Sequence, residues 1–179
     1  MGNTRNFAVI ILLLATLFSA CTSNEPRELV METFANGKPA RVITVVGSGE
    51  EQQTIKEITY FANGQMKTMT NFKDGKEQGF VYTYYQSGQE KFIEYYNNGL
   101  KDSISLYFYE NGDTGSMEFY DEGLIDGESK TWFASGQIST EAKHSKGEYD
   151  GIFKRWYTNG QLMQEGEYID DKKEGKWTY

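Results

Sequence analysis

The chain has 179 residues, of which 38% are hydrophobic, 15% aromatic and 25% charged, with a formal net charge of −8. That length fits one domain with a real core or one short repeat array, not two enzymes, and the aromatic content excludes a disordered chain. So acidic a balance argues against a nucleic-acid partner, because phosphate binding needs clustered Lys and Arg.

The chain opens with a short polar stretch, Met1–Asn6, carrying one cation, Arg5. A twelve-residue apolar run, Phe7–Phe18, then leads into Ser19, Ala20 and Cys21. Polar start, short apolar stretch and small-residue end predict a helical signal peptide over residues 1–20. Twelve apolar residues fall short of the roughly 20 that a spanning helix needs. An exported protein with a single cysteine forms no internal disulfide, so Cys21 is either a reactive thiol or an anchor. The residues Leu17-Phe18-Ser19-Ala20-Cys21 resemble the lipobox of bacterial lipoproteins, with Phe18 where Leu is usual. That resemblance implies acylation of Cys21 and attachment to a membrane, at about 0.8 kcal/mol per buried methylene. Thr22, rather than Asp, after the cysteine implies the outer membrane of the cell envelope. Loss of residues 1–20 removes Arg5 and no acid, leaving a charge of −9, which anionic lipid headgroups repel. Thr22–Glu28, polar and containing Pro26, reads as a short tether following Cys21.

From Leu29 to Tyr179 the chain repeats. Asn-Gly or Ser-Gly pairs recur at Gly37, Gly64, Gly88, Gly112, Gly136 and Gly160, the last five at a spacing of 24. A second glycine follows at Gly75, Gly99, Gly123 and Gly147, and a third at Gly79, Gly127, Gly151 and Gly175. Three residues before the first glycine stands an aromatic in every unit: Phe34, Phe61, Tyr85, Tyr109, Phe133 and Tyr157. Each unit reads as a β-hairpin. Asn-Gly suits a tight turn in which both central residues take positive φ, and the arms are rich in Tyr, Phe, Trp, Thr and Ile. The second glycine cluster reads as a looser return turn. The expected fold is all-β: an elongated single-layer antiparallel meander of about six hairpins and about twelve strands. At a strand spacing of roughly 4.8 Å it is about 55 Å long. Lys176–Tyr179 reads as a closing strand whose exposed edge is guarded by Lys172, Lys173 and Lys176.

The aromatic pair, Asn-Gly-Gln, the aromatic eight residues later and the Gly-Lys-x-x-Gly return resemble the bacterial variant of the MORN repeat. Trp156-Tyr157-Thr158-Asn159-Gly160-Gln161-Leu162 with Tyr168 is the clearest copy. The resemblance extends over most of the chain from Leu29 and implies kinship with YwqK-type antitoxins, many of them lipoproteins. It is specific for fold and weak for activity. The first unit departs from it, with Thr33 in place of the first aromatic and a return longer by three residues. Such departure suits a terminal unit with one neighbour fewer.

His144, the sole histidine, stands where other units have Phe72, Tyr96, Tyr120 and Tyr168, so a structural role is expected. Without a second His, and with no Cys after Cys21, a His/Cys zinc site is excluded. No calcium loop of EF-hand type and no Gly-x-Ser-x-Gly elbow occurs. Gly112-Asp113-Thr114-Gly115 precedes no helix and is not a phosphate loop. The expectation is a non-enzymatic protein without catalytic residues, cofactor or metal. What remains is the aromatic ladder. Adjacent aromatics in a strand face opposite sides, so rings are expected on both faces, either as a thin core or as a binding surface. The binding-face candidates are Tyr60, Tyr84, Phe108, Trp132 and Trp156. Three partners fit: an unidentified protein, a glycan stacked on spaced rings, or the toxin that the family resemblance implies.

Overall fold

The computed structural model describes residues 25–179, and the expected signal peptide over residues 1–20 and Cys21 lie outside them. The described chain forms one open antiparallel sheet. Its strands are β1 (Arg27–Thr33), β2 (Pro39–Val46), β3 (Gln53–Tyr60), β4 (Met66–Lys73), β5 (Lys76–Glu77), β6 (Gly79–Tyr84) and β7 (Glu90–Asn97). They continue as β8 (Leu100–Phe108), β9 (Thr114–Asp121), β10 (Leu124–Trp132), β11 (Ile138–Ser145), β12 (Glu148–Trp156), β13 (Leu162–Ile169) and β14 (Lys172–Thr178). Thirteen lie side by side in chain order, while the two-residue β5 pairs with β4 alone. The count is fourteen rather than about twelve: six hairpins, a closing strand, and the short β5, split from β6 at Gln78. The long return of the first unit holds one turn of 3-10 helix, Gly49–Glu51.

The two kinds of turn are the reverse of the sequence expectation. At the Asn-Gly corners only glycine is left-handed, with φ of 79° at Gly37, 95° at Gly64, 90° at Gly112 and 84° at Gly160. In the second corner Gly64 N–H donates to Phe61 C=O and Phe61 N–H to Gln65 C=O, both 2.8 Å. That pattern is the three-residue hairpin: a type I turn closed by a glycine bulge. The pairs with two left-handed residues sit at the returns: Asp74-Gly75 (52° and 74°), Asn98-Gly99 (52° and 82°), Glu122-Gly123 (48° and 88°) and Lys146-Gly147 (51° and 93°). Strand pairing closes directly across them, as at Asn97 with Leu100 and Ser145 with Glu148. These are two-residue type I′ turns.

Asparagine is therefore kept at the first corners for its amide, not its φ. The Oδ1 of Asn36, Asn63, Asn111 and Asn159 accepts the N–H two residues on, each at 3.0 Å. The Nδ2 of Asn36 and Asn63 reaches the next unit's corner, donating to Ala62 C=O and Gln86 C=O at 3.0 Å. Gln137, with its amide oriented to satisfy both atoms, donates to Thr158 C=O at 2.8 Å and accepts Gly160 N–H at 2.9 Å. Along the opposite edge Gly99, Gly123 and Gly147 donate N–H to Glu77, Lys101 and Ile125 C=O at 2.8–2.9 Å. Tyrosine hydroxyls add a third link: Tyr85 donates to Phe108 C=O at 2.9 Å and Tyr109 to Trp132 C=O at 2.7 Å. The repeated residues thus join each unit to its neighbour, as a stack of modules too small to bury their own surface requires.

Candidate functional site

Alternation along each strand and the cross-strand register sort the side chains onto two faces. One face, termed the front, carries Phe72, Tyr96, Tyr120, His144 and Tyr168. The back carries Tyr60, Tyr84, Phe108, Trp132 and Trp156, so rings do stand on both. The back-face candidates recur every second strand, roughly 10 Å apart. They oppose Met66, Glu90, Thr114, Ile138 and Leu162 in turn. The structure places all five in one half-buried row, with no ring stacked on another.

Beside that row runs a second that sequence reading missed. Direct cross-strand partners on the back are Val30, Val42, Ile58, Met69, Tyr82, Ile93, Leu106 and Met117. At β10 the same row changes character and continues as Lys130, Glu141, Lys154 and Glu165. Lys130 pairs with Glu141 at 3.4 Å and Lys154 with Glu165 at 2.7 Å. The Glu165 carboxylate bonded to the Lys154 ammonium raises its pKa. Phe80 and Tyr95 pack edge to face at 5.2 Å beside the apolar stretch, and Ile104 opposes Phe119. Phe80 and Phe119 are 41% and 37% exposed.

The front face shows the opposite order. Its central row begins Ile43, Glu57, Thr70 and the buried Val81, passes through Glu94, Ser105, Glu118 and Ser129, and then becomes Ala142, Phe153 and Gly166. In the polar stretch Arg41 binds Glu57 at 2.6 Å and Lys101 binds Glu94 at 2.5 Å. Burial, then the Glu118 carboxylate that accepts its hydroxyl, pushes the Tyr120 pKa up to about 12. Burial beside Glu94 and Glu77 does the same at Tyr96, to about 12. In the apolar stretch His144 lies 4.5 Å from Tyr149, and Tyr149 stacks on Tyr168 at 5.1 Å. Phe153 meets Tyr149, Tyr168 and Trp177 at 5.5–6.2 Å. Trp177 lies flat over Gly166, where a Cβ would strike its ring. His144 is 7% exposed, its Nδ1 has no partner, and burial lowers its pKa. It fills an aromatic place in a ring cluster.

The central row of the back is therefore apolar over β1–β9 and charged from β10, while the ring cluster of β11–β14 lies on the front. The front cluster packs ring on ring, whereas the back rows are half-buried apart from the buried Val42 and the exposed Val30. Among the described residues no group of His, Cys, Asp and Glu could hold a metal ion, and no helix is long and apolar enough to cross a membrane. An open cleft of about 610 Å³ borders Arg41, Glu57, Phe72 and Asp74 on the front, with the Arg41 guanidinium already engaged by Glu57.

Two stretches, residues 53–74 and 149–170, match the MORN repeat variant. They are the second and sixth hairpins, β3–β4 and β12–β13 with their return turns. The second match contains the copy read as clearest from sequence. No curated protein matches the chain.

Proposed function

We propose that this chain is a non-enzymatic protein-interaction module of the bacterial cell envelope. In this reading Cys21 is acylated and holds it to a membrane, and the open back face of β1–β9 receives a protein. The observation that carries the reading is the unbroken row from Val30 to Met117, flanked by Tyr84, Phe108, Phe80 and Phe119. Contiguous apolar surface left open on a folded chain marks an interaction site, and Tyr, Phe and Met suit a contact surface. Repeats of the MORN type are generally protein or membrane interaction modules. The anchor rests on Leu17–Cys21, and kinship with YwqK-type antitoxins on the repeat sequence alone.

The test is cross-linking in intact cells followed by capture of the full chain from detergent-solubilised envelope. The expected result is a specific protein, further copies of this chain included, retained by the native chain and lost from Leu106→Glu. No specific protein retained, or retention indifferent to that change, overturns the reading. Cys21→Ser should move the chain out of the membrane fraction.

A glycan is the second reading, supported by Trp132 and Trp156. They stand two strands apart beside Lys130, Glu141, Lys154 and Glu165, where apolar rings adjoin groups that hydrogen-bond hydroxyls. Binding to peptidoglycan or polysaccharide that Trp132→Ala abolishes would favour it over the first.

A further inference from the structure

We propose that the occupant of the open back face is a second copy of this chain, packed face to face and running in the opposite direction. This rests on the protein-interaction reading and names its partner. A one-layer sheet with an apolar face is half of the usual two-layer arrangement, and a second sheet is what ordinarily completes it. The front cluster covers itself: Phe153 is only 8% exposed among three rings. On the back Val42 is buried, but the rest of the row from Ile58 to Met117 is half-buried, and Val30, Phe80 and Phe119 are 57%, 41% and 37% exposed.

Area and charge choose the occupant and its orientation. Eight strands at about 4.8 Å, with three side-chain rows across them, present about 600 Å² per copy. Two copies then bury about 1,200 Å², the lower bound of stable specific interfaces. Two orientations bring back against back. If the arrays run in the same direction, each strand faces its own copy, so Lys130 meets Lys130 and Glu141 meets Glu141. Like charges brought together in a closing interface are costly. If the arrays run oppositely, only the apolar halves overlap, and Lys130, Glu141, Lys154 and Glu165 stay in water as pairs. The two-fold axis then passes between β4 and β6. Met69 faces Tyr82 of the second copy, Ile58 faces Ile93, Val42 faces Leu106, and Val30 faces Met117. Every apolar residue of the row meets another, and the interface closes on itself as a two-fold contact must.

The experiment uses the full chain carrying Cys21→Ser in mild detergent. Sedimentation equilibrium should show a dimer, and Leu106→Glu should weaken it by about tenfold or more, because it would bury a charge without a partner. A circular-dichroism melt of that variant shows that the hairpins still fold. If it does not fold, Ile93→Thr, with the same β preference and less apolar area, replaces it and should weaken the dimer too. Single cysteines then fix the orientation with a short thiol–thiol cross-linker. Met69→Cys, beside the axis, should link to its own copy, whereas Met117→Cys, about 34 Å from its own copy, should not. Linkage at both positions overturns the opposed orientation. A monomer at every concentration overturns the proposal. If that monomer still captures another envelope protein through the same rows, the interaction reading stands without this one.

Discussion

Replacing Phe153 by alanine should unfasten the C-terminal part of the sheet and leave the rest intact. Phe153 is 8% exposed and touches Tyr149, Tyr168 and Trp177 at 5.5–6.2 Å, so it is the hub of the front cluster. Truncating a buried Phe costs about 3–5 kcal/mol, with the low end where neighbours can collapse into the gap. A one-layer sheet lets Tyr149 and Trp177 settle inward, so the expected cost is about 3 kcal/mol. The site is a single cross-strand column, Ala142–Phe153–Gly166, and each unit of an array contacts only its neighbours. The loss therefore falls on β12–β14 and fades toward β9. Native-state hydrogen exchange reads this directly, since amides opening locally report their own free energies. In the variant, amides of β13 and β14 should exchange at least a hundredfold faster, while those of β7 and β8 stay within about twofold. Uniform acceleration along all strands would refute the modular account. A change below about 1 kcal/mol would show that Phe153 is no hub.

Ser103 sits left-handed, φ 61°, where four other units have glycine, and its side chain is exposed with one weak bond of 3.3 Å to Asp102. Ser103→Gly should stabilise by about 0.5–1 kcal/mol, the relief of left-handed strain less the entropy glycine loses on folding, and a lower melting temperature would contradict this. His144 has a pKa lowered mainly by burial, against the opposing pull of Glu118 and Asp171. Its unfolded form therefore protonates first, so stability should decline as pH falls below about 6.5, and His144→Phe should flatten denaturant midpoints between pH 7 and 5. Tyr85, Tyr96 and Tyr120 are pushed up to about 12 chiefly by burial. The unfolded chain ionises first, so stability should be lost as pH rises from about 10 toward 12, which chemical melts across that range check.

Much of this architecture was legible in the sequence. The period of 24, the six corners and the role of His144 follow from residues recurring at fixed offsets, and the register obeys them. The turn types did not follow, because Asn-Gly serves equally in a two-residue I′ turn and in a type I turn with a glycine bulge. What decides is whether the strand ends at the aromatic or one residue later, and Phe61 pairing with Gln65 answers that only in three dimensions. The row Tyr60–Trp156 was found because its residues are all aromatic. The row beside it went unread because its chemistry changes along the chain. Stacking the units column by column would expose it: Met69, Ile93, Met117, then Glu141 and Glu165 in one column, and Tyr82, Leu106, then Lys130 and Lys154 in the next. The signal is positional, and a search for repeated residue types passes over a position whose residue type switches.

That switch has a physical consequence for the contacts a one-layer array can make. An apolar stripe along one face of thirteen strands would offer a contact that could slide by whole units, since each pair of strands would resemble the next. Here the stripe stops at Met117, and the ladder from Lys130 to Glu165 makes any displacement past β9 bury charge against apolar rings. The front of the same strands then supplies the apolar contacts that β11–β14 need, sealed by Phe153 and Trp177 rather than by a partner. Both lengths bury side chains on the front, Ile43, Val45 and Val81 in one and Ala142 and Phe153 in the other, but only β1–β9 carries an apolar central row on the back, with the boundary at β10. Exchanging Lys130 and Lys154 for Leu would erase that boundary. The expected outcome is concentration-dependent association beyond a dimer, read by light scattering, with the hairpins still folded by circular dichroism. A double variant that stays at the native assembly size would show that the charged ladder sets no limit on contact.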